Sequence, residues 1–216
     1  MERIKSRIFG GLAALALAGG ALAAAGPEAS AATTACGATC VTLASQAAGL
    51  GDVMAVLIPR FAIPGKPQSV VLSAAGNVSS EDWRLVDEGT VAPFYAQGIV
   101  GAAVGQTWPS NEVYEFEYTP GGKYTGLCLG TSVTAANGTP VVLQTCGINS
   151  QTLWIPLESD STGSFLPLVN GSDTVVNTPY VLTAGPVGAS LTTAELSTVG
   201  GAISPTQMWR AQLGPL

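Results

Sequence analysis

Two pairs of neighbouring carboxylates are the residues of this sequence with the clearest chemical potential. Glu81-Asp82 and Asp87-Glu88 could supply the two acids, about 5–10 Å apart across a bound sugar, that glycoside hydrolysis requires. Adjacent acids on a loop are commonplace, however, and the sequence contains no histidine. Without histidine there is no Ser/His or Cys/His nucleophile. We therefore predict a protein that is not an enzyme.

Four cysteines could form disulfides or bind a metal. Their number is even, and disulfides are the default in an exported chain. The local pairing is Cys36 with Cys40 and Cys128 with Cys146, although three connectivities are possible. Closing the longer loop should stabilise the fold by ~3 kcal/mol. Because the spacings are unlike a zinc motif and histidine is lacking, we predict no metal site and no cofactor.

Export is indicated by residues 1–31, which have the three parts of a secretory signal peptide. Basic residues near the start precede an apolar core over residues 8–25 that is rich in Ala and Gly. Ala29-Ser30-Ala31 then forms an A-x-A cleavage site. Because Pro27 and Glu28 follow the apolar core, we predict cleavage and secretion rather than a membrane anchor. No other segment is long and apolar enough to span a bilayer.

Removal of this peptide would leave residues 32–216, a length that suits a single domain with a full core. Five basic side chains then stand against twelve acidic ones. This acidic balance, with scattered Lys and Arg, argues against nucleic acid or an anionic membrane as a partner. Few charges and much Val, Thr, Gly and Pro favour a compact β protein. We expect it to be a monomer.

Three stretches follow one plan: an apolar opening, a turn, a second apolar strand and a closing tryptophan. The intervals from opening to tryptophan are 30, 26 and 28 residues, for Val53 to Trp83, Cys128 to Trp154 and Val181 to Trp209. A recurring interval of this size indicates an internal repeat. One unit alone would expose an apolar face, so three must share a core under which the tryptophans pack.

Three four-stranded units that close on themselves form a small barrel capped by hairpins, which removes exposed strand edges. We therefore predict an all-β fold, a β-trefoil with pseudo-threefold symmetry. Its repeats span about residues 40–91, 112–160 and 165–214, with an insertion over about 92–112. Residues 112–118 alternate acidic with apolar side chains, which predicts a strand with a charged outer face.

The central copy, residues 126–154, carries the pattern of a known family. It has a G-L-C opening, an N-G-x-x-V-x-L middle, a second cysteine and a closing tryptophan, and Gln207-Met208-Trp209 is an intact Q-x-W motif. On these motifs the chain resembles the ricin B-type lectins, a β-trefoil family, over roughly residues 40–214. Thr152 and Glu81 stand where the other units would have the motif's glutamine. The resemblance implies structural roles for Gln207 and the three tryptophans.

In ricin B-type lectins, sugar binding usually centres on an aspartate two residues after the opening cysteine. Its carboxylate accepts hydrogen bonds from adjacent sugar hydroxyls, while a nearby aromatic ring stacks on the sugar. The matching positions here hold Ala55, Gly130 and Thr183, none of which can accept two hydroxyls as a carboxylate does. The whole chain also looks like a group of uncharacterised secreted actinobacterial proteins, notably at residues 114–118 and 169–173. The resemblance thus implies the fold, and glycan binding at a different site.

Four residues are candidate ligand contacts outside the usual lectin positions. Asp52 and Asp173 could serve a displaced sugar site, or could simply lie in solvated turns. Trp108 and Tyr95 lie in the insertion, where aromatic side chains often mark a contact surface. Our first hypothesis is a secreted binding module for a carbohydrate or cell-wall glycan. The alternative is an interaction or inhibitor protein that binds a secreted or cell-surface protein through the insertion.

Overall fold

A computed structural model describes residues 40–48, 51–57, 67–76, 78–157 and 165–213. The predicted signal peptide at residues 1–31 lies outside the described residues. The described residues form fourteen strands: β1 (Cys40–Ser45), β2 (Asp52–Val56), β3 (Val70–Ala74), β4 (Trp83–Thr90), β5 (Glu112–Tyr118), β6 (Leu127–Thr131), β7 (Thr139–Thr145), β8 (Trp154–Pro156), β9 (Leu168–Asn170), β10 (Tyr180–Thr183), β11 (Thr192–Glu195), β12 (Thr198–Val199), β13 (Ala202–Ile203) and β14 (Trp209–Leu213). Two helices, α1 (Val91–Ala96) and α2 (Ala102–Thr107), lie between β4 and β5.

Six of the strands close into a ring. Antiparallel pairing joins β1 to β4, β4 to β5, β5 to β8 and β8 to β9, and β14 pairs with β1. Leu166, just before β9, completes the ring with two backbone hydrogen bonds to Trp209: the Leu166 N–H donates at 2.8 Å and the Leu166 carbonyl accepts at 3.0 Å. The prediction of an all-β architecture is confirmed, and closure of this kind removes exposed strand edges.

Three hairpins, β2–β3, β6–β7 and β10–β11, are attached to this ring. They also bond to one another through the backbone. The Leu143 N–H donates to the Gln68 carbonyl at 2.9 Å, and the Val141 N–H donates to the Leu191 carbonyl at 3.0 Å. The Leu191 N–H in turn donates to the Val70 carbonyl at 2.8 Å. The hairpins therefore satisfy each other's edges.

The three tryptophans of the repeat lie in one apolar core, where Trp83 and Trp154 are 0% exposed and Trp209 is 2% exposed. Each indole N–H donates to a backbone carbonyl in the opening strand of its own unit: Trp83 to Met54 at 3.2 Å, Trp154 to Leu129 at 3.0 Å and Trp209 to Leu182 at 2.9 Å. The same bond, made three times, satisfies a buried donor in each unit. Such equivalent geometry is what three copies of one structural unit produce.

The insertion covers a second apolar core outside the ring. Phe94 of α1 and Val104 of α2 pack there with Ile155 of β8, Val169 of β9 and Val181 of β10. Two short helices, α1 and α2, lie in the region of the predicted insertion over about residues 92–112. Because the helices lie on strands of the second and third repeats, they bury an outer face that would otherwise be open.

Close contact fixes these helices in place. A Cβ added at Gly101 would lie 1.9 Å from the carbonyl oxygen of Asp173, and the Gly101 N–H donates to the Gly171 carbonyl at 2.8 Å. A Cβ added at Gly105 would lie 2.1 Å from the ring of Tyr95. Glycine at these two positions is therefore required by packing, since any side chain would overlap atoms already present.

One predicted disulfide is confirmed. Cys128 and Cys146 are bonded, with their Cα atoms 4.9 Å apart, and the bond joins β6 to the residue after β7. For the predicted Cys36–Cys40 bond, Cys36 lies outside the described residues. Among the described residues, no group of acidic or cysteine side chains is arranged to hold a metal ion, and no described helix has the length and apolarity needed to cross a membrane.

Candidate functional site

The two aromatic residues predicted in the insertion serve its packing. Tyr95 lies with its ring on Gly105, its hydroxyl accepts a hydrogen bond from the Gln106 side chain at 3.2 Å, and the residue is 37% exposed. Trp108 is half-buried and packs against the second core. Trp108 therefore helps to attach the insertion to the barrel, whereas Tyr95 packs α1 against α2 and keeps substantial exposure.

Of the two predicted aspartates, Asp173 is fully buried. Its carboxylate accepts the backbone N–H groups of Val175 and Tyr180, both at 2.9 Å. Burial raises the pKa of the Asp173 carboxyl, and these two hydrogen bonds oppose the rise. The Asp173 carboxylate therefore holds the loop between Val175 and Tyr180, and each of its oxygens already accepts a hydrogen bond from the backbone. Asp52 is half-buried at the start of β2, in a different repeat.

The sites used by ricin B-type lectins are blocked or lack an acceptor here. Ala55 is buried in β2. A Cβ at Gly130 would lie 3.1 Å from the Gln151 carbonyl oxygen, which leaves a side chain little room. The Thr183 hydroxyl donates to the Val181 carbonyl at 3.0 Å. None of these three positions therefore offers the carboxylate acceptor of the usual lectin site.

The glutamine of the Q-x-W motif ties a loop to the core. The Gln207 side-chain oxygen accepts the Ser197 N–H at 2.8 Å, while its NH₂ group donates to the Glu195 carbonyl, also at 2.8 Å. Glu81, at the equivalent position of the first repeat, does similar work, since its carboxylate accepts the Gly76 N–H at 2.9 Å. Both side chains are buried. Glu81 is therefore part of the scaffold, in a position unsuited to a general acid, which must reach the substrate.

The second repeat uses two residues for the same purpose. The Thr152 hydroxyl lies 3.0 Å from the Gly147 carbonyl oxygen of the loop, and it donates to the Glu115 carboxylate at 2.6 Å. The same Glu115 oxygen accepts the Gly147 N–H at 3.3 Å, and Gly147 stands five residues before Thr152, as Gly76 stands five before Glu81. Glu115, from a neighbouring strand, thus supplies the acceptor oxygen that Glu81 and Gln207 provide in the other two repeats.

One strongly exposed ring has charged groups beside it. Tyr124 is 62% exposed, and the guanidinium carbon of Arg84 lies 5.9 Å from the centre of its ring. Arg84 forms an ion pair with Glu117, which lies directly opposite it where β4 pairs with β5. We call Tyr124, Arg84 and Glu117 the tyrosine–arginine cluster.

The loop that carries Tyr124 is held at several points. The Asp82 carboxylate accepts the Gly121 N–H at 2.9 Å, and Gly121 adopts a positive φ of 59° that favours glycine. Burial raises the pKa of the Asp82 carboxyl, and the bond from Gly121 opposes the rise. On the other side of the ring, the Thr125 hydroxyl donates to the Tyr118 carbonyl at 2.7 Å. The second acid of the Glu81-Asp82 pair therefore positions a loop.

The other acid pair is less constrained. Asp87 is exposed and accepts the Gly89 N–H at 2.9 Å. Burial raises the pKa of the half-buried Glu88 carboxyl, and the negative charges of Glu115, Glu117 and Asp87 raise it further. These acids lie along the β4–β5 pair that carries Arg84, and Glu117 is directly opposite Arg84.

Sequence reasoning missed Tyr124. A signal was present, because Lys123-Tyr124 stands between Gly121-Gly122 and Gly126. An aromatic residue within such a turn has no strand periodicity to take it into the core, so its ring is expected on the surface.

Comparison with known proteins informs the fold alone. No protein-family model matches the sequence, and no curated protein sequence does. The structure is similar to a designed three-fold symmetric protein, ThreeFoil, at 16% identity over 80% of this chain and 97% of that one, with a TM-score of 0.52. It is also similar to a salivary protein of Culex quiquefasciatus from the Cysteine and Tryptophan-Rich family, at 15% identity over 81% of this chain and 92% of that one, with a TM-score of 0.50.

A third similar structure is a mosquitocidal holotoxin, at 10% identity and a TM-score of 0.55. The match covers 82% of this chain but 17% of the holotoxin chain. At these identities the likeness concerns architecture. Together with the three equivalent tryptophan bonds, it supports the predicted β-trefoil fold.

Proposed function

We propose that this protein is a secreted, non-catalytic β-trefoil module that binds a carbohydrate, such as a cell-wall glycan, at the tyrosine–arginine cluster. The observation that carries the proposal is the exposed ring of Tyr124 beside the Arg84 guanidinium, on a loop that Asp82 holds in place. It is a surface at which an exposed aromatic face and charged hydrogen-bonding groups occur together, at a location distinct from the usual lectin positions.

The chemistry of the cluster suits a sugar. The exposed face of Tyr124 can cover the apolar C–H face of a pyranose ring. The guanidinium of Arg84 carries five N–H donors, of which the Glu117 ion pair uses those on one side. The remaining donors can reach sugar oxygens, and Glu117 keeps the guanidinium oriented beside the ring.

Because the loop that carries Tyr124 is already held in place, few groups have to be ordered when a ligand binds. Rigid presentation of a contact residue lowers the entropic cost of association. The site is nevertheless open, with a single exposed ring, so a monosaccharide should bind with a Kd of about 1 mM, which corresponds to about −4 kcal/mol. A polymer of repeated sugars would bind more tightly by avidity.

Two other observations support secretion and a binding role. The Cys128–Cys146 bond is of a kind that persists in oxidising, extracellular compartments, which agrees with the signal-like residues 1–31. The acids Glu81 and Asp82, the best candidates for catalysis, are buried and bonded to backbone N–H groups. The alternative of a protein-interaction site at Trp108 and Tyr95 has less support, because both rings pack within the molecule.

A glycan array tests the proposal. The wild-type protein would be displayed as a tetramer on streptavidin, since avidity brings weak sites into range. We expect at least one glycan to be bound, with about tenfold weaker binding by Tyr124→Ala, because one aromatic contact contributes on the order of 1 kcal/mol. Tyr124→Phe keeps the ring and should retain binding. Folded protein that binds no glycan, or binds equally well after Tyr124→Ala, would overturn the proposal.

A further inference from the structure

Basic residues are scarce in this acidic chain, and they are unevenly placed. The sequence has a formal net charge of −6. Among the described residues there are three basic side chains, those of Arg84, Lys123 and Arg210. Two of the three flank Tyr124, since Arg84 lies over its ring and the exposed Lys123 precedes it in the loop. The positive charge of the described surface is therefore concentrated at the tyrosine–arginine cluster.

The third basic residue serves packing. The Arg210 guanidinium carbon lies 5.1 Å from the centre of the Phe165 ring, and its terminal nitrogen donates to the Gln212 side chain at 2.8 Å. Arg210 is half-buried. It thus belongs to a local contact beside β14, whereas Arg84 and Lys123 are exposed.

The Arg84–Glu117 ion pair presents its positive member to solvent. The Arg84 side chain is 48% exposed, but the Glu117 side chain is 9% exposed. The guanidinium beside Tyr124 is therefore more accessible to a ligand than the carboxylate that pairs with it. Glu117 orients the cation without offering an equally accessible acceptor, so the surface at the ring is rich in donors.

The acids near Arg84 are mostly less exposed than the two basic side chains. Glu115 is buried and bonded to the Thr152 hydroxyl. Glu88 is half-buried at the bulge where β4 pairs with β5. Asp87 is exposed, but it lies three residues beyond Arg84 on β4, about 10 Å along an extended strand, which exceeds the Debye length of about 8 Å at physiological ionic strength. At the Tyr124 ring itself, the positive groups are therefore the more accessible ones.

We infer that the ligand of the tyrosine–arginine cluster is an acidic sugar, a pyranose that carries a carboxylate, as in a polyuronate. This inference rests on the proposed glycan-binding function. The pyranose face lies on the Tyr124 ring, and the carboxylate accepts hydrogen bonds from the free side of the Arg84 guanidinium, a charge-assisted interaction stronger than one between neutral groups. Lys123 adds a second, exposed positive charge.

Pairs of oligosaccharides that differ in the carboxylate alone provide the test. Oligomers of galacturonate, of glucuronate-containing hyaluronan and of alginate would each be compared with a carboxyl-reduced form of the same chain, by NMR titration of the tyrosine signals. We expect at least one acidic oligomer to bind about tenfold more tightly than its reduced form. The preference should shrink between 20 and 200 mM NaCl, as expected for exposed charges.

Variants distinguish the contribution of the Lys123 charge to binding from that of the Tyr124 ring. Lys123→Gln should lower the acid preference about two- to fivefold and leave the affinity for the reduced oligomer unchanged, because one screened surface charge is removed. Lys123→Arg, which keeps the charge, is its matched control. Tyr124→Ala should weaken the binding of both forms.

The outcomes distinguish this inference from the function on which it rests. Equal binding of the acidic and reduced forms would overturn the acidic-sugar inference and leave glycan binding intact, as would binding confined to neutral glycans of the array. Absence of binding to any glycan would overturn both. An unchanged preference in Lys123→Gln and loss of the preference in Lys123→Arg would each contradict the role assigned to the positive surface.

Discussion

The residue that follows the closing tryptophan has opposite surroundings in the first and second repeats. Arg84 follows Trp83 on β4, is exposed for 48% of its side chain, and forms the open tyrosine–arginine cluster. Ile155 follows Trp154 on β8, is 0% exposed, and lies beneath α1 and α2. The tryptophans themselves are equivalent, so the difference arises outside the barrel.

The insertion explains this difference. It leaves the chain between β4 and β5, at the junction of the first and second repeats, and covers strands of the second and third. Where the helices lie, the outer face joins a second apolar core. Where they do not, it carries an ion pair beside an exposed ring. One face of the scaffold thus contributes stability, while the other remains exposed to solvent.

The largest effect is expected when the covered face is given the residue of the open one. Ile155→Arg would place an unpaired charge in an apolar cluster and remove packing, at a cost of more than about 4 kcal/mol in the free energy of unfolding. Because small domains are stable by about 5–15 kcal/mol, much of the protein would unfold. Urea denaturation followed by tryptophan fluorescence measures the loss.

The reciprocal variant is the control. Arg84→Ile removes an ion pair and leaves the buried Glu117 carboxylate without that partner, which should cost about 1–3 kcal/mol. Similar losses in the two variants would show that the two faces do not differ as described.

The features shared by the repeats could be predicted from the sequence. The tryptophan interval indicated three units and a shared core because each unit must bury its own indole. The residues that show this pattern lie within about 30 residues of one another in the sequence. The Cys128–Cys146 pair was predictable for a similar reason, since both cysteines bracket one hairpin.

Which side chains on the outer faces of the strands are buried could not be predicted in this way. The alternation in residues 112–118 indicated outward acids, but Glu115 and Glu117 are 4% and 7% exposed. They are covered by Thr152 and by Arg84, which are 37 and 33 residues away in the sequence. The burial of Ile155 likewise depends on helices from an earlier part of the chain. Local periodicity cannot report such contacts.

A smaller loss of stability is expected from a substitution that displaces the helices from the covered face. Gly101→Ala is compatible with the backbone, whose φ is −64°, but the new Cβ would lie 1.9 Å from the Asp173 carbonyl oxygen. Overpacking of this kind costs about 1–3 kcal/mol. Gly185→Ala, where the new Cβ would meet the Ala189 Cβ at 3.2 Å, should cost less. Thermal unfolding of the two variants provides the measurement, and equal shifts in Tm would contradict close docking at Gly101.

Two buried aspartates, Asp82 beside the open face and Asp173 beside the covered face, should make the stability of the protein depend on pH. Burial raises the pKa of both Asp82 and Asp173 above the ordinary value of 3.8, so the folded state holds these protons more tightly than the unfolded chain. Their contribution to stability is therefore greatest below pH 3.8 and is lost as the pH rises through the raised pKa. Urea midpoints measured between pH 3 and pH 7 should fall less steeply with pH in Asp82→Asn and Asp173→Asn than in the wild type.

The same two variants should differ at neutral pH. Asparagine at position 82 keeps an oxygen for the Gly121 N–H, so stability should change by no more than about 0.5 kcal/mol. At position 173, asparagine retains one acceptor oxygen for two N–H groups, those of Val175 and Tyr180. One buried donor then loses its partner, at a cost of about 1–2 kcal/mol. The opposite order of effects would contradict the assignment of two bonds to Asp173.

The smallest effect on stability is expected at the open face, where the largest effect on binding is expected. The Tyr124 ring is 62% exposed, and an exposed cation–π contact contributes about 0.5–1 kcal/mol, so Tyr124→Ala should lower the free energy of unfolding by less than about 1 kcal/mol. Phe94→Ala on the covered face should lower it by about 3–5 kcal/mol, with glycan affinity of the folded fraction unchanged. Because the two variants remove aromatic rings of similar size, only their placement differs. A stable Phe94→Ala, or a Tyr124→Ala that unfolds as readily, would show that the division between a stabilising face and a binding face does not hold.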